Sequence, residues 1–222
     1  VINKDYPNSV EIGKVGRGKK VWISRNDVGI SRNFIKLRGD HNLENVAAVL
    51  AVAKIVGIEQ TVIEKVVSSF KGLEHRLEEV ATVDGVTYFN DSFSTTPETT
   101  IAAIKSFSEP TILIAGGSEK GSDFTDLGQV IVDSKNIKAV ILIGIIAEKI
   151  EGAIKKTEGR LSLKVVRNCQ NMPEIVQKAY NMASEGDIVL LSPGAASFDM
   201  FKNYGDRGKQ FKDAVKQLGI SS

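Results

Sequence analysis

The chain has 222 residues, 42% hydrophobic and 25% charged, a globular composition that excludes a disordered or fibrous segment and predicts a buried core. Its 29 Lys and Arg nearly balance its 27 Asp and Glu with no long block of one sign, which argues against nucleic acid or an anionic membrane as a partner. Cys169 stands alone, which excludes an intrachain disulfide and disfavours a cysteine-based zinc site; with no stretch long enough to span a bilayer or serve as a signal peptide, a cytoplasmic location is expected.

Residues 1–38 read as short β segments, with "KKVWIS" and "NFIKL" carrying the apolar and β-branched residues and "RND" and "DVG" supplying turns. The stretch "HNLENVAAVLAVAKIVGI" has helical spacing, with Asn42 as the expected N-cap and Gly57 as the stop, and "EQTVIEKVVSSF" predicts a second helix. These β segments are too few to cover a core with those helices. The stretch up to about Gly72 therefore reads as the closing part of a larger domain, and a chain that opens on Val1 reads as a fragment.

After Gly72, strands and helices alternate. Strands are predicted at "VTYFND", "TILIAGG", "KAVILIG", "LKVVRN" and "DIVLLSPG". Helices are predicted at "TPETTIAAIKSF", "DLGQVIVDS", "AEKIEGAIKK", "MPEIVQKAYNMA" and "DMFKNYGDRGKQFKDAVKQL". Continuous apolar strands separated by helices predict a doubly wound α/β domain with a mostly parallel sheet. Ligands of such sheets lie beyond the carboxyl ends of the strands. Those ends carry Asn90-Asp91-Ser92, Gly116-Gly117-Ser118, Gly144, Arg167-Asn168 and Ser192-Pro193-Gly194, so polar groups and glycines crowd one edge.

Each group also has a plainer reading. Asp91 and Ser92 are suited to starting a turn and capping the helix near Pro97. Gly116-Gly117 is suited to a tight strand-to-helix turn, since the full G-x-G-x-x-G fingerprint is lacking, and Lys120 to solvent. His75 and Arg76 are suited to a salt-bridge network with Glu74, Glu78 or Glu79, and no metal-ligand spacing is present.

The stretches "HNLENVAAVLAVA", "GLEHRLEEV", "GVTYFNDSFSTTP", "LIAGGSEKGSDF" and "LLSPGAASFDMFKNYGDRGKQF" together resemble the Mur ligases, from about Leu37 to the end of the chain. The last stretch is the most specific and resembles the branch that adds D-glutamate. The resemblance implies an ATP-dependent amide ligase of cell-wall precursor synthesis, acting through an acyl phosphate. Its partners would be ATP, UDP-N-acetylmuramoyl-L-alanine and D-glutamate, with Mg²⁺ as cofactor and a monomeric state. Residues 1–72 would be the C-terminal part of a central ATP-binding domain, and residues 73–222 a Rossmann-like domain that binds the amino acid. The G-x-x-x-x-G-K-[ST] loop is absent, so this stretch alone is expected to be inactive, with no metal ligands of its own.

Carried over position by position, the resemblance implies that Asn42 and Asn45 contact adenine, an edge that an amide matches as donor and acceptor. Arg76 would face the phosphates and Asp91 the nucleotide, while Thr95, Lys120, Ser197, Phe198 and Tyr204 would hold the amino acid. Arg76 and Lys120 are the expected catalytic cations, since this chemistry rests on positioning and charge. One position departs from the family pattern D-S-K-A-T: here the run is Asp91-Ser92-Phe93-Ser94-Thr95, with an aromatic in place of a cation. Arg167 and Arg207 are the candidates to restore that charge. The alternatives are a related ligase adding another residue such as L-Glu, a folylpolyglutamate-like ligase, or a nucleotide-binding module without catalysis.

Overall fold

The computed structural model describes residues 1–157 and 163–220. The chain divides into two compact units, Val1–Gly72 and Leu73–Ser222.

In the first unit, β1 (Ile2–Asn3) and β2 (Trp22–Ile23) pair in parallel, and three helices follow the chain: α1 (Pro7–Val15), α2 (Asp40–Ile55) and α3 (Gln60–Ser69). Ile23, Val28 and Ile35 pack with Val46, Leu50, Ile63 and Val67 in a small core. Three expectations fail here. Residues 7–15 form a helix rather than a β segment, because Pro7 sits at a first helical position where its fixed φ and missing N–H cost nothing. "NFIKL" finds no partner strand; Arg32–Phe34 form a 3-10 turn instead, with Arg32 Nη1 donating to Ile35 O at 2.7 Å. Asn42 is not the N-cap of α2. Gly39, at φ 83°, turns the chain into the helix earlier and puts the Asp40 carboxylate in the first turn, where the helix dipole favours it. Gly57 does follow the helix end with φ 77°, the left-handed conformation that glycine adopts without strain.

The second unit is built on one six-stranded sheet. Its strands are β3 (Glu78–Val83), β4 (Val86–Asn90), β5 (Thr111–Gly116), β6 (Ile137–Ile143), β7 (Lys164–Val166) and β8 (Ile188–Leu191). The order is β3-β4-β8-β5-β6-β7, parallel except for β3. The helices are α4 (Pro97–Ile104), α5 (Thr125–Asp133), α6 (Ala147–Lys156), α7 (Met172–Met182) and α8 (Tyr204–Leu218). One face of the sheet packs through Leu113, Val140 and Leu190 onto Ile104 of α4, Leu127 and Ile131 of α5 and Ile150 of α6. The other face packs through Tyr88, Ile112, Ile141 and Val189 onto Ile175 and Val176 of α7 and Phe211 and Val215 of α8. The predicted doubly wound, mostly parallel sheet is therefore the observed fold.

Two local differences matter for the site. Strand β3 was not expected; Asp84 and Gly85, at φ 48° and 76°, form the tight turn that joins it to β4, and a D-G pair between alternating residues is its signal. Helix α8 starts at Tyr204 rather than at Asp199, because Asn203 caps it by accepting from the Asp206 N–H at 2.9 Å. Residues 199–203 are thereby freed to form a turn at the carboxyl edge.

Candidate functional site

Strand β8 inserts between β4 and β5, so the winding of the sheet reverses there and opens a crevice beyond the strand ends. Asp91 follows β4 at that point and is 3% exposed. Its Oδ2 accepts from the Ser94 hydroxyl at 2.5 Å and the Ser192 hydroxyl at 2.7 Å, and its Oδ1 accepts from the Leu77 N–H at 3.1 Å. Burial pushes the carboxyl up to about 6, against those three hydrogen bonds and the nearby Arg76 charge. The capping reading for Asp91 therefore fails: the residue before α4 is Thr96, whose N–H donates to Thr99 Oγ1 at 3.4 Å.

Beside Asp91, Arg207 of α8 is completely buried. Its Nε and Nη2 donate to Ser92 Oγ and Ser92 O, each at 2.9 Å, and its Nη1 donates to Ala195 O at 3.1 Å and Ala196 O at 3.4 Å. One guanidinium thus joins the loop after β4, the loop after β8 and α8. Burial pulls its pKa down to about 10, against the attraction of Asp199 and Asp91. Arg167 is also committed, to Glu148 at 3.3 Å and Glu151 at 3.1 Å. Neither arginine restores the cation missing at position 93.

Arg76 lies nearer that position. Its Cζ sits 5.4 Å from the centroid of the Phe93 ring, and Phe93 meets Tyr204 edge to face at 5.0 Å. His75 packs against Tyr204 at 6.1 Å, and its Nδ1 lies 2.9 Å from Asn90 Nδ2. Glu74, His75 and Glu78 form a cluster compact enough for a cation, but Lys212 Nζ already sits in it, 2.5 Å from Glu74 Oε1 and 3.0 Å from Glu78 Oε1. Among the described residues this is the one such grouping of carboxylates and imidazole, and the ammonium of Lys212 supplies its positive charge.

The loops after β5 and β8 close the crevice on main chain. Gly116 and Gly117 have φ of 120° and 144°, and a Cβ on either would overlap a carbonyl oxygen, of Ile143 or Ala196. A Ser118–Ala196 bridge follows. Asp199 staples the arrangement: its Oδ1 accepts from the Ser118 hydroxyl at 3.1 Å and its Oδ2 from the Ile145 N–H at 2.9 Å. Beyond this staple, Lys120 Nζ stands 5.9 Å from the Phe198 ring centroid, while Ser197 is buried. We expect Gly117→Ala to lose at least ~3 kcal/mol, since positive φ and a backbone overlap add; urea unfolding of the variant checks this.

The structure gathers Arg76 and Tyr204 around Phe93, with Asp91 buried in the same loop, and Lys120 with Phe198 and Ser197 near the Ser118–Ala196 bridge. Thr95 lies half-buried between Ser94 and the start of α4. Asn42 and Asn45 belong to the first unit, where Asn42 Nδ2 donates to Arg38 O at 2.7 Å and Asn45 Nδ2 to Asn42 Oδ1 at 3.1 Å. Sequence reasoning missed the structural work of Asp199, Ser192 and Arg207, because their partners lie more than ten residues away in the chain.

The family described as Mur ligase, glutamate ligase domain, matches residues 75–194. A UDP-N-acetylmuramoylalanine–D-glutamate ligase of Caldanaerobacter subterraneus is 45% identical over 186 residues, covering 83% of this chain and 40% of that protein. The protein of that name from Bacillus subtilis is 40% identical, covering 98% of this chain and 51% of its own length. The chain thus spans about half the length of the curated relatives it matches. Among solved structures, MurF from Acinetobacter baumannii is similar with a TM-score of 0.66 at 14% identity, covering 99% of this chain and 51% of that one. The UDP-N-acetylmuramate-alanine ligase of Thermotoga maritima is similar with a TM-score of 0.63 at 15% identity, covering 85% and 40%. At such identity the likeness concerns fold alone.

Proposed function

This chain belongs to the Mur ligase family, and from that premise we propose that it is the C-terminal part of an ATP-dependent ligase that joins D-glutamate to UDP-N-acetylmuramoyl-L-alanine in peptidoglycan precursor synthesis. The observation that carries the reading is a pair of outward cations at the carboxyl edge. Arg76 and Lys120 each stand over an aromatic ring, and among the described residues neither forms an ion pair with a carboxylate. Cations left open at a ligand edge match a reaction whose reactants are phosphates and carboxylates.

In this reading Arg76 meets the nucleotide phosphates. Lys120, with Thr95, Ser197, Phe198 and Tyr204, holds the incoming amino acid and neutralises its side-chain carboxylate. Asp91 acts from inside: three of its four acceptor positions fix Ser94, Ser192 and Leu77, and one remains for a nucleotide hydroxyl. The nucleotide, when bound, would supply the activation of the acceptor carboxylate. The residues of this chain bind, orient and balance charge. Positioning and charge carry the chemistry in this reading.

We further propose that Val1–Gly72 is the C-terminal part of the central ATP-binding domain, with Asn42 and Asn45 toward adenine. Val49, Val52 and Ile55 of α2 and Val62 and Val66 of α3 are exposed although their helices also bury an apolar face, the pattern of helices interior to a larger domain. No helix of the described residues is long and apolar enough to cross a membrane, and we place the enzyme in the cytoplasm as a monomer.

The test is phosphate release by the full-length protein carrying this chain, with ATP, Mg²⁺ and UDP-N-acetylmuramoyl-L-alanine against D- and L-amino acids. Release dependent on D-glutamate, with at least about a tenfold rise in its KM for Lys120→Ala, is expected from the loss of a charged contact. Dependence on L-glutamate, or no release with any amino acid, overturns the proposal.

A further inference from the structure

The backbone around Arg76 is held in an unusual way. The residues on either side of it, His75 and Leu77, have φ of 65° and 44°, left-handed conformations that cost energy for side chains of that size. Both are held by the loop after β4. His75 O accepts from the Phe93 N–H at 3.0 Å, and the Leu77 N–H donates to Asp91 Oδ1 at 3.1 Å. Arg76 is the residue between these two ties, and its side chain is exposed. The guanidinium has no hydrogen bond or ion pair among the described residues, yet it is not without a contact. It lies over Phe93, a residue 44% exposed whose ring also meets Tyr204 edge to face.

An aromatic face and a carboxylate hold a guanidinium by different means. A carboxylate would consume in-plane N–H donors, whereas a ring attracts the cation and leaves those donors open. Strain at the flanking residues aims the side chain, and the ring keeps it aimed. We propose that Phe93 is the positioning residue for Arg76, holding the guanidinium with its donor edge presented to a pyrophosphate-type oxyanion. The inference rests on the proposed meeting of Arg76 with phosphate, and it gives the phenylalanine at the motif's third position a definite role.

The experiment uses the 222-residue chain with inorganic pyrophosphate as probe. NMR of the Arg76 Nε–Hε group reads the stack directly: its proton is expected upfield from ring current in the wild type and in Phe93→Trp, and at the free-arginine position in Phe93→Leu. Titration of the same resonance is expected to show pyrophosphate binding about fivefold weaker for Phe93→Leu than for wild type, with Phe93→Trp restoring it. Backbone amide spectra that match away from the site establish that each variant is folded. Equal affinity in wild type and Phe93→Leu overturns the positioning role while leaving Arg76 as a phosphate ligand. A ring-current shift that responds to Phe93→Leu, in a chain whose Arg76 resonance never moves with pyrophosphate, overturns the oxyanion assignment and reduces the stack to packing.

Discussion

Asp91→Asn is expected to make the Leu73–Ser222 unit more stable at pH 7.5 by about 2 kcal/mol, or roughly 5 °C in melting temperature, while abolishing the proposed ligase turnover. The stabilisation follows from the raised carboxyl. Burial lifts it to about 6, so the folded state holds a proton that the unfolded chain, with an ordinary aspartate near 4, has released. Stability from the protonated form is complete below pH 4 and is lost as pH rises through 6. Above that, the folded state carries a buried anion at a cost of roughly 3 kcal/mol. An amide in the same place retains an acceptor for Leu77, and the hydroxyls of Ser94 and Ser192 can turn to donate or accept. Thermal unfolding of both proteins from pH 4 to 8 checks this. The gap between them should open between pH 4 and 6.5 and stay constant above 7; a variant less stable at pH 7.5 contradicts the account.

Arg207→Leu should act in the opposite direction, lowering stability by about 3–5 kcal/mol. The loss has a specific source. Leucine fills part of the volume but leaves Ser92 O and Ala195 O without their buried donor and Ser92 Oγ without its Nε partner, while Ala196 O keeps only the Ser118 N–H. Arg207→Lys should recover charge but not the fork, and so stay about 2 kcal/mol below wild type. Urea unfolding gives both values. If lysine were as good as arginine, the three-way junction would be an electrostatic effect rather than one of geometry.

Much of this unit could be read from the chain because its strands are short apolar runs, and such runs need a two-sided sheet. "TILIAGG" and "KAVILIG" are such runs, and the glycines and polar residues that follow the strands mark one edge. Strand β3 is harder to see because a bulge between Glu79 and Ala81 breaks its alternation and only Val83 is fully buried, while its clearest mark is the Asp84–Gly85 turn. In the first unit, "NFIKL" looked like a strand because β propensity is local, whereas a strand requires a partner that this unit does not offer. Candidate site residues such as Asp91 and Lys120 stood out by type and place. Their environments did not: nothing local tells that Arg207 spans eleven to 115 residues of sequence to reach Ala196 and Ser92, or that Arg76 rests on Phe93.

The glycines at 116, 117 and 144 meet main chain or the Asp199 carboxylate so closely that no larger side chain fits. That wall of the crevice is built of peptide backbone, and substitution finds no side chain there to exchange. Phe93, Lys120, Phe198 and Tyr204 are instead exposed tips, and none of them packs against the three glycines. The side chain in the motif's third place can therefore be exchanged while the wall stays intact, so that the chemistry of the edge and the stability of the fold rest on different residues.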